Sequence, residues 1–163
     1  MEIEFKKFSD YPRGTFYKLL KDAYSFESNY QKDCKDKWLE EDNFFYDNLY
    51  IADSCGFITT INNIPIGFIC WDPRTIPEYI ELGHNCIIEK FKGMGYGKKQ
   101  LLETIRRTKN RNPKKIIVTT DELLVSAQKN YESVGFKFIG YRNNPLNNNY
   151  TGRLMDYELN FTE

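Results

Sequence analysis

The feature that most constrains the fold is a run of three glycines at alternate positions, Gly93, Gly95 and Gly97, between an apolar strand-like segment and a helical one. Glycine populates positive φ without steric cost and lets backbone approach a ligand closely. The first turn of a helix opening there carries N–H groups with no intrahelical acceptor, and they point outward. Such a turn cradles a phosphate. Two common nucleotide patterns fail on spacing. A P-loop ending in Gly97-Lys98 needs a glycine at Lys92 and a hydroxyl residue at Lys99. A dinucleotide fingerprint starting at Gly93 needs a third glycine where Lys98 stands.

Around the loop the pattern is mixed α/β. Ile3 to Phe8 alternates as a strand, Pro12 opens a helix through Tyr24, and a second helix covers about Gln31 to Tyr46. Gly56 to Ile61 and Ile64 to Trp71 flank the turn Asn62-Asn63, a hairpin signal. Tyr79 to Ile88 is a strand, and the helix after the loop places Leu101, Leu102 and Ile105 on one face and ends near Asn112-Pro113. Lys114 to Thr120 is a strand, and Leu124, Ala127, Tyr131 and Val134 mark a helix stopped by Gly135. Phe136 to Tyr141 and Leu154 to Leu159 close the chain as strands. The order is β-α-α-β-β-β-α-β-α-β-β. With 163 residues, 40% of them hydrophobic, the chain can bury one core and is too short for two ordinary domains, so residues 1–163 are expected to form a single domain.

No apolar stretch is long enough to span a membrane, and the N-terminus lacks a signal-peptide layout, so a cytoplasmic protein is expected. Cys34, Cys55, Cys70 and Cys86 are dispersed and His84 is the one histidine, which argues against a metal site and a disulfide framework. Net charge is zero, yet Lys98 to Lys115 holds eight Lys/Arg against the single acid Glu103. Two readings stand: a solvated helix face, or a local positive field for a phosphate-bearing ligand. Nucleic acid is disfavoured because the stretch is short and the rest of the chain is acidic.

The segment Ile87 to Gly97 resembles the strand-loop-helix of the GNAT superfamily of N-acyltransferases, whose signature is Gln/Arg-x-x-Gly-x-Gly/Ala. Lys92-Gly93-Met94-Gly95-Tyr96-Gly97 fills it with Lys for Gln/Arg. A second family motif, Asn-x-x-Ala-x-x-x-Tyr-x-x-x-Gly-Phe, is met by Ala127, Tyr131, Gly135 and Phe136, with Leu124 where the Asn would be. The order of elements is similar over almost the whole chain. The resemblance implies a mixed, mostly antiparallel sheet of about six to seven strands flanked by about four helices, with acetyl-CoA as cosubstrate. It also implies that main chain at Asn85, Cys86 and Ile87 pairs with the pantetheine arm. Lys92 to Lys98, including Met94 and Tyr96, would hold the pyrophosphate at the helix start.

Aminolysis of a thioester needs a neutral amine, a stabilised oxyanion and a protonated leaving thiolate. Glu81, eleven residues before Lys92, resembles the place where several family members carry a basic group, and is the candidate proton acceptor. A surface acid that only orients substrate is the other reading, and Glu78 is the neighbouring candidate. Periodicity alone makes Tyr131 a core tyrosine, whereas the resemblance gives its hydroxyl the task of protonating the thiolate. His84 and Cys86 have the opposite strand parity from Glu81; a structural role is expected for His84, and no adjacent base marks Cys86 as a nucleophile. Direct transfer without an acyl-enzyme is expected.

By the same resemblance the acceptor site involves the first two helices. Trp38, Phe45 and Trp71 are the candidate substrate-binding residues, and Glu40, Glu41, Asp42, Phe44, Tyr46 and Asp47 accompany them. Aromatics interleaved with acids suit an ammonium group, and equally a helix with rings in the core and acids in water. The expected partners are acetyl-CoA and a primary amine of a small molecule or protein. The oligomeric state, a homodimer included, stays open. The rivals are a non-catalytic acyl-CoA-binding module and, less favoured, a nucleic-acid-binding domain.

Overall fold

A computed structural model describes residues 2–162. Seven strands form a mixed sheet in the order β1-β2-β3-β4-β5-β7-β6. They are β1 (Ile3–Lys6), β2 (Gly56–Ile61), β3 (Ile64–Asp72), β4 (Ile80–Ile87), β5 (Lys115–Asp121), β6 (Lys137–Arg142) and β7 (Leu154–Asn160). Five helices accompany them: α1 (Thr15–Ala23), α2 (Ser28–Asp47), α3 (Leu49–Ser54), α4 (Tyr96–Lys109) and α5 (Val125–Ser133). The short α3 is a helix that the sequence pattern does not announce. None of the described helices is long and apolar enough to cross a membrane.

The chain divides into two compact units, Met1–Cys70 with His84–Gln100, and Trp71–Gly83 with Leu101–Glu163. In the first, β1 and β3 pair antiparallel with β2. Asn62 and Asn63 both take positive φ, 49° and 67°, as a two-residue hairpin turn of the primed type requires. On α1 the buried residues Phe16, Leu19, Leu20 and Ala23 follow the 3-1-3 spacing of one helical face. Buried Asp42 on α2 accepts hydrogen bonds from the N–H groups of Gly14 (3.1 Å) and Tyr17 (3.0 Å), so a carboxylate satisfies donors at the start of α1.

In the second unit β7 pairs antiparallel with both β5 and β6. β4 runs parallel to β5 through Ile80↔Ile116 and Glu81↔Ile117. The apolar face expected on α4 is corrected here. Leu101, Thr104 and Thr108 are buried, while Leu102 is 49% exposed. The buried stripe follows helical spacing from Leu101, and threonine can occupy it because its hydroxyl is satisfied locally: Thr108 donates to the Thr104 carbonyl at 2.8 Å.

Candidate functional site

The glycine loop is held from its near end. A short 3-10 turn, Glu89–Phe91, leads into it, and the Glu89 N–H donates to Asp22 of α1 at 2.9 Å. The Lys92 ammonium donates to the Ala23 carbonyl and to Glu89 (2.7 Å), and lies 4.5 Å from the centroid of the Phe26 ring. Lys92 is therefore tied to the C-terminal end of α1, where a cation meets helix carbonyls favourably. Beyond it, Gly93 and Gly95 have φ of 74° and 86°. A Cβ at either would touch nothing within 4 Å, so backbone conformation and not crowding selects glycine there. The Lys99 N–H donates to the Gly95 carbonyl at 3.2 Å as α4 begins. The N–H groups of Tyr96, Gly97 and Lys98 precede that bond, lack intrahelical acceptors, and carry the positive end of the helix. Met94, Lys98 and Lys99 are exposed.

On β4 successive side chains meet different elements. His84 Nε2 lies 2.7 Å from Glu41 Oε2 on α2, and Asn85 Oδ1 accepts from Gln100 Nε2 of α4 at 2.7 Å. Gln100 is fully buried; it also donates to the Phe68 carbonyl (3.0 Å) and accepts from the Thr59 hydroxyl (2.6 Å). This network fixes β4 beside the start of α4. Gly67 of β3 lets the strands approach, since a Cβ there would fall 2.2 Å from the Cys86 carbonyl oxygen. Burial pushes the Cys86 and Cys70 thiols up to about 12, outweighing backbone hydrogen bonds from Phe68 and His84, so neither is a ready nucleophile.

Beside α2 is a cavity of about 310 Å³ lined by Phe16, Glu40, Glu41, Phe44, Phe45 and Cys70. Phe45 stands in its wall as a candidate acceptor contact. Trp38 does not: it is 4% exposed and packs in the core, its ring 5.6 Å from that of Tyr24. The reason is periodicity, because Trp38, Asp42 and Tyr46 form the buried face of α2, whereas Glu40, Glu41, Phe44 and Phe45 lie beside that face. Sequence reasoning missed Phe16, Cys70 and the meeting of His84 with Glu41. They come from separate elements, and no local spacing announces them.

In the second unit, Glu81 is exposed on β4, and Trp71 is buried at the end of β3. Arg142 is raised chiefly by its hydrogen bonds to Asp156, with Glu81 adding to the field. The neighbouring Glu78 is in an ion pair with Lys114 at 2.9 Å. Tyr131 is buried, with ring centroids 5.5 Å from Phe136 and 6.0 Å from Tyr157. Leu124 occupies the N-cap of α5 and supplies no side-chain cap. Within the basic stretch, Arg106 and Arg107 both bind Glu103, whose carboxyl is held down at about 2 first by hydrogen bonding to Arg106. Lys115 pairs with Glu158 at 2.8 Å. These pairs favour the solvated-face reading for that part of the stretch.

The sequence pattern of the acetyltransferase (GNAT) family matches residues 15–136, three quarters of the chain and both motifs. The chain belongs to the GNAT acetyltransferase family. It is an acyltransferase by that membership, and solved structures carry the same fold. The ribosomal-protein-S18-alanine N-acetyltransferase of Escherichia coli superposes with a TM-score of 0.71 at 16% identity, covering 99% of this chain and 94% of that one. YncA of Salmonella typhimurium, solved with its cofactor acetyl-CoA, gives 0.77 at 12%, with coverages of 99% and 94%. A GNAT family acetyltransferase of Elizabethkingia anophelis with acetyl-CoA bound gives 0.69 at 21%, with 98% and 97%. No curated protein matches the chain in sequence.

Proposed function

We propose that this GNAT acyltransferase moves an acetyl group from acetyl-CoA to a primary amine by direct attack, without an acyl-enzyme. The observation that carries the reading is the glycine loop: two positive-φ glycines followed by first-turn amides at the start of a fourteen-residue helix. These donors fit a pyrophosphate, which needs several N–H groups converging without side chains in the way. Acetyl-CoA bound to proteins of the same fold supports the choice of anion. Beyond the loop, the main chain of β4 at Asn85, Cys86 and Ile87 is proposed to pair with the pantetheine arm.

The thioester supplies an activated acyl carbon; the rest falls to the chain's own residues. Exposed Glu81 is proposed to take the ammonium proton, directly or through water, so that the amine attacks neutral. Tyr131 is proposed to give its hydroxyl proton to the leaving sulfur, where charge develops only as the bond breaks. The Cys70 and Cys86 thiols are protonated at neutral pH, in keeping with direct transfer. The test is a screen of amines and peptides with acetyl-CoA, read as CoA thiol released. Thiol release that depends on an amine and on Tyr131 supports the proposal; CoA binding with no acceptor-dependent release over a broad amine set favours the inert binding module.

A further inference from the structure

The buried face of α4 carries a carboxamide where an apolar side chain would fill the core without any polar demand. Gln100 is 0% exposed, one helical turn after Tyr96, and its side chain reaches across three neighbouring strands. Its Oε1 accepts from the Thr59 hydroxyl of β2 at 2.6 Å. Its Nε2 donates to the Phe68 carbonyl of β3 (3.0 Å), to Asn85 Oδ1 of β4 (2.7 Å) and to the Cys86 carbonyl of β4 (3.3 Å), so two N–H groups serve three acceptors. Gly67, whose missing Cβ would lie 2.2 Å from the Cys86 carbonyl oxygen, leaves room for that oxygen on its other side.

Hydrogen bonds of this kind add little net stability, because the unfolded chain makes them to water. What a satisfied buried network supplies is a unique geometry. Here the geometry joins two things: the helix whose first-turn amides are proposed to hold the pyrophosphate, and the β4 main chain proposed to pair with the pantetheine arm. A ligand with two linked halves gains from the linkage only when both subsites stand at the right separation, and loses the gain when they do not.

The geometry points to Gln100 as a positioning residue that sets the spacing between the pyrophosphate and pantetheine halves of the cofactor site. The inference rests on the acetyl-CoA reading and adds to it a side chain that, being fully buried, touches no part of the ligand. Gln100 acts through the Cys86 carbonyl and the Asn85 side chain on β4 and through its own helix on the glycine loop.

Dephospho-CoA is ADP with the pantetheine arm on its terminal phosphate, so the ratio of their dissociation constants isolates what the arm adds. Both are titrated calorimetrically into four proteins, with folding checked by circular dichroism and stability measured in denaturant. Besides the wild type these are Gln100→Met, which keeps the side-chain length, and Gln100→Asn, whose amide is one methylene too short to reach all its partners. The fourth is Thr59→Val, which removes one hydrogen bond and leaves the Gln100 donors to β3 and β4 in place. Dephospho-CoA is expected to bind the wild type about 10²-fold more tightly than ADP. Gln100→Met should cut that ratio about tenfold while ADP affinity stays within about twofold, and Gln100→Asn should cut it severalfold. Thr59→Val should lose stability and keep the ratio within about twofold. A wild-type ratio in a folded Gln100 variant, an equal weakening of both ligands, or a fall in Thr59→Val as large as in Gln100→Met would overturn the assignment. Should Gln100→Met not fold, Gln100→Asn decides. Absence of binding of either ligand to the folded wild type removes the acetyl-CoA reading together with the inference, whereas a high wild-type ratio that survives in the Gln100 variants removes the inference alone.

Discussion

The glycine loop and the cavity beside α2 lie in one compact unit and are built from opposite materials. In the loop, Met94 is 60% exposed, Lys92 is turned into a tie with α1, and the groups proposed to recognise the cofactor are backbone amides at positive-φ turns. In the cavity the backbone is ordinary helix and strand. Its character lies in side chains: Phe16, Glu41 and Cys70 come from three elements, and His84 of a fourth meets Glu41. A main-chain site tolerates changed side chains and fails when glycine geometry is lost, whereas a side-chain site fails when one group is trimmed and leaves the rest of the fold intact.

The largest expected effect lies outside both regions. Tyr131→Phe keeps the ring that packs against Phe136 and Tyr157, so stability and CoA affinity should hold. If the hydroxyl is the proton donor, kcat falls by roughly 10²- to 10⁴-fold. Steady-state kinetics with a proven acceptor, beside CoA titration, decides it. A wild-type kcat would return Tyr131 to the core-tyrosine reading.

Next comes Gly67→Ala. Its Cβ would meet the Cys86 carbonyl oxygen at 2.2 Å and Ile87 Cδ1 at 2.7 Å, so β3 and β4 must move apart. A loss of about 1–3 kcal/mol in chemical denaturation is expected, with weaker CoA binding in the protein that remains folded. Unchanged stability would mean that the close approach is not needed.

A smaller effect concerns the basic end of α4. The Glu103 carboxyl is lowered from 4.5 to about 2 by Arg106 and Arg107. A depressed folded-state value means that its stabilisation is fully present above pH 4.5 and is lost as pH falls toward 2. Arg106 is 64% exposed, so solvent screening keeps the contribution small. Denaturation midpoints at pH 6 and pH 3 should differ less in Glu103→Gln than in the wild type. Equal differences would show the pair to be worth nothing. Smallest of all, Met94→Ala should change CoA affinity by less than about 0.5 kcal/mol, and a larger loss would show that the loop reads ligand through side chains after all.

This contrast also explains what the sequence discloses. Gly93, Gly95 and Gly97 are neighbours, so the loop is visible as a local pattern, and Asn62-Asn63 marks the hairpin for the same reason. The strands emerge within a residue or two because alternating apolar residues and turn signals are also local. The face of α4 is misread because the buried Thr104 and Thr108 look polar in sequence, although the Thr108 hydroxyl is satisfied by its own helix, while Leu102 looks like core and is not. The meeting of Glu41 and His84 spans 43 positions and has no local mark. Trp38 attracts attention as an aromatic beside acids, yet its place on the buried stripe with Asp42 and Tyr46 removes it from the cavity.

The central claim is that main-chain amides at the start of α4 hold acetyl-CoA for transfer. Isothermal titration of acetyl-CoA into the wild type and into Gly95→Val tests it most directly, because valine cannot adopt the φ of 86° without strain. Circular dichroism confirms beforehand that both are folded. The account predicts saturable binding to the wild type, with about 2.7 kcal/mol of added stability at a hundred times the dissociation constant, and loss of both in the variant. No binding to the folded wild type, or equal binding to both proteins, would contradict it.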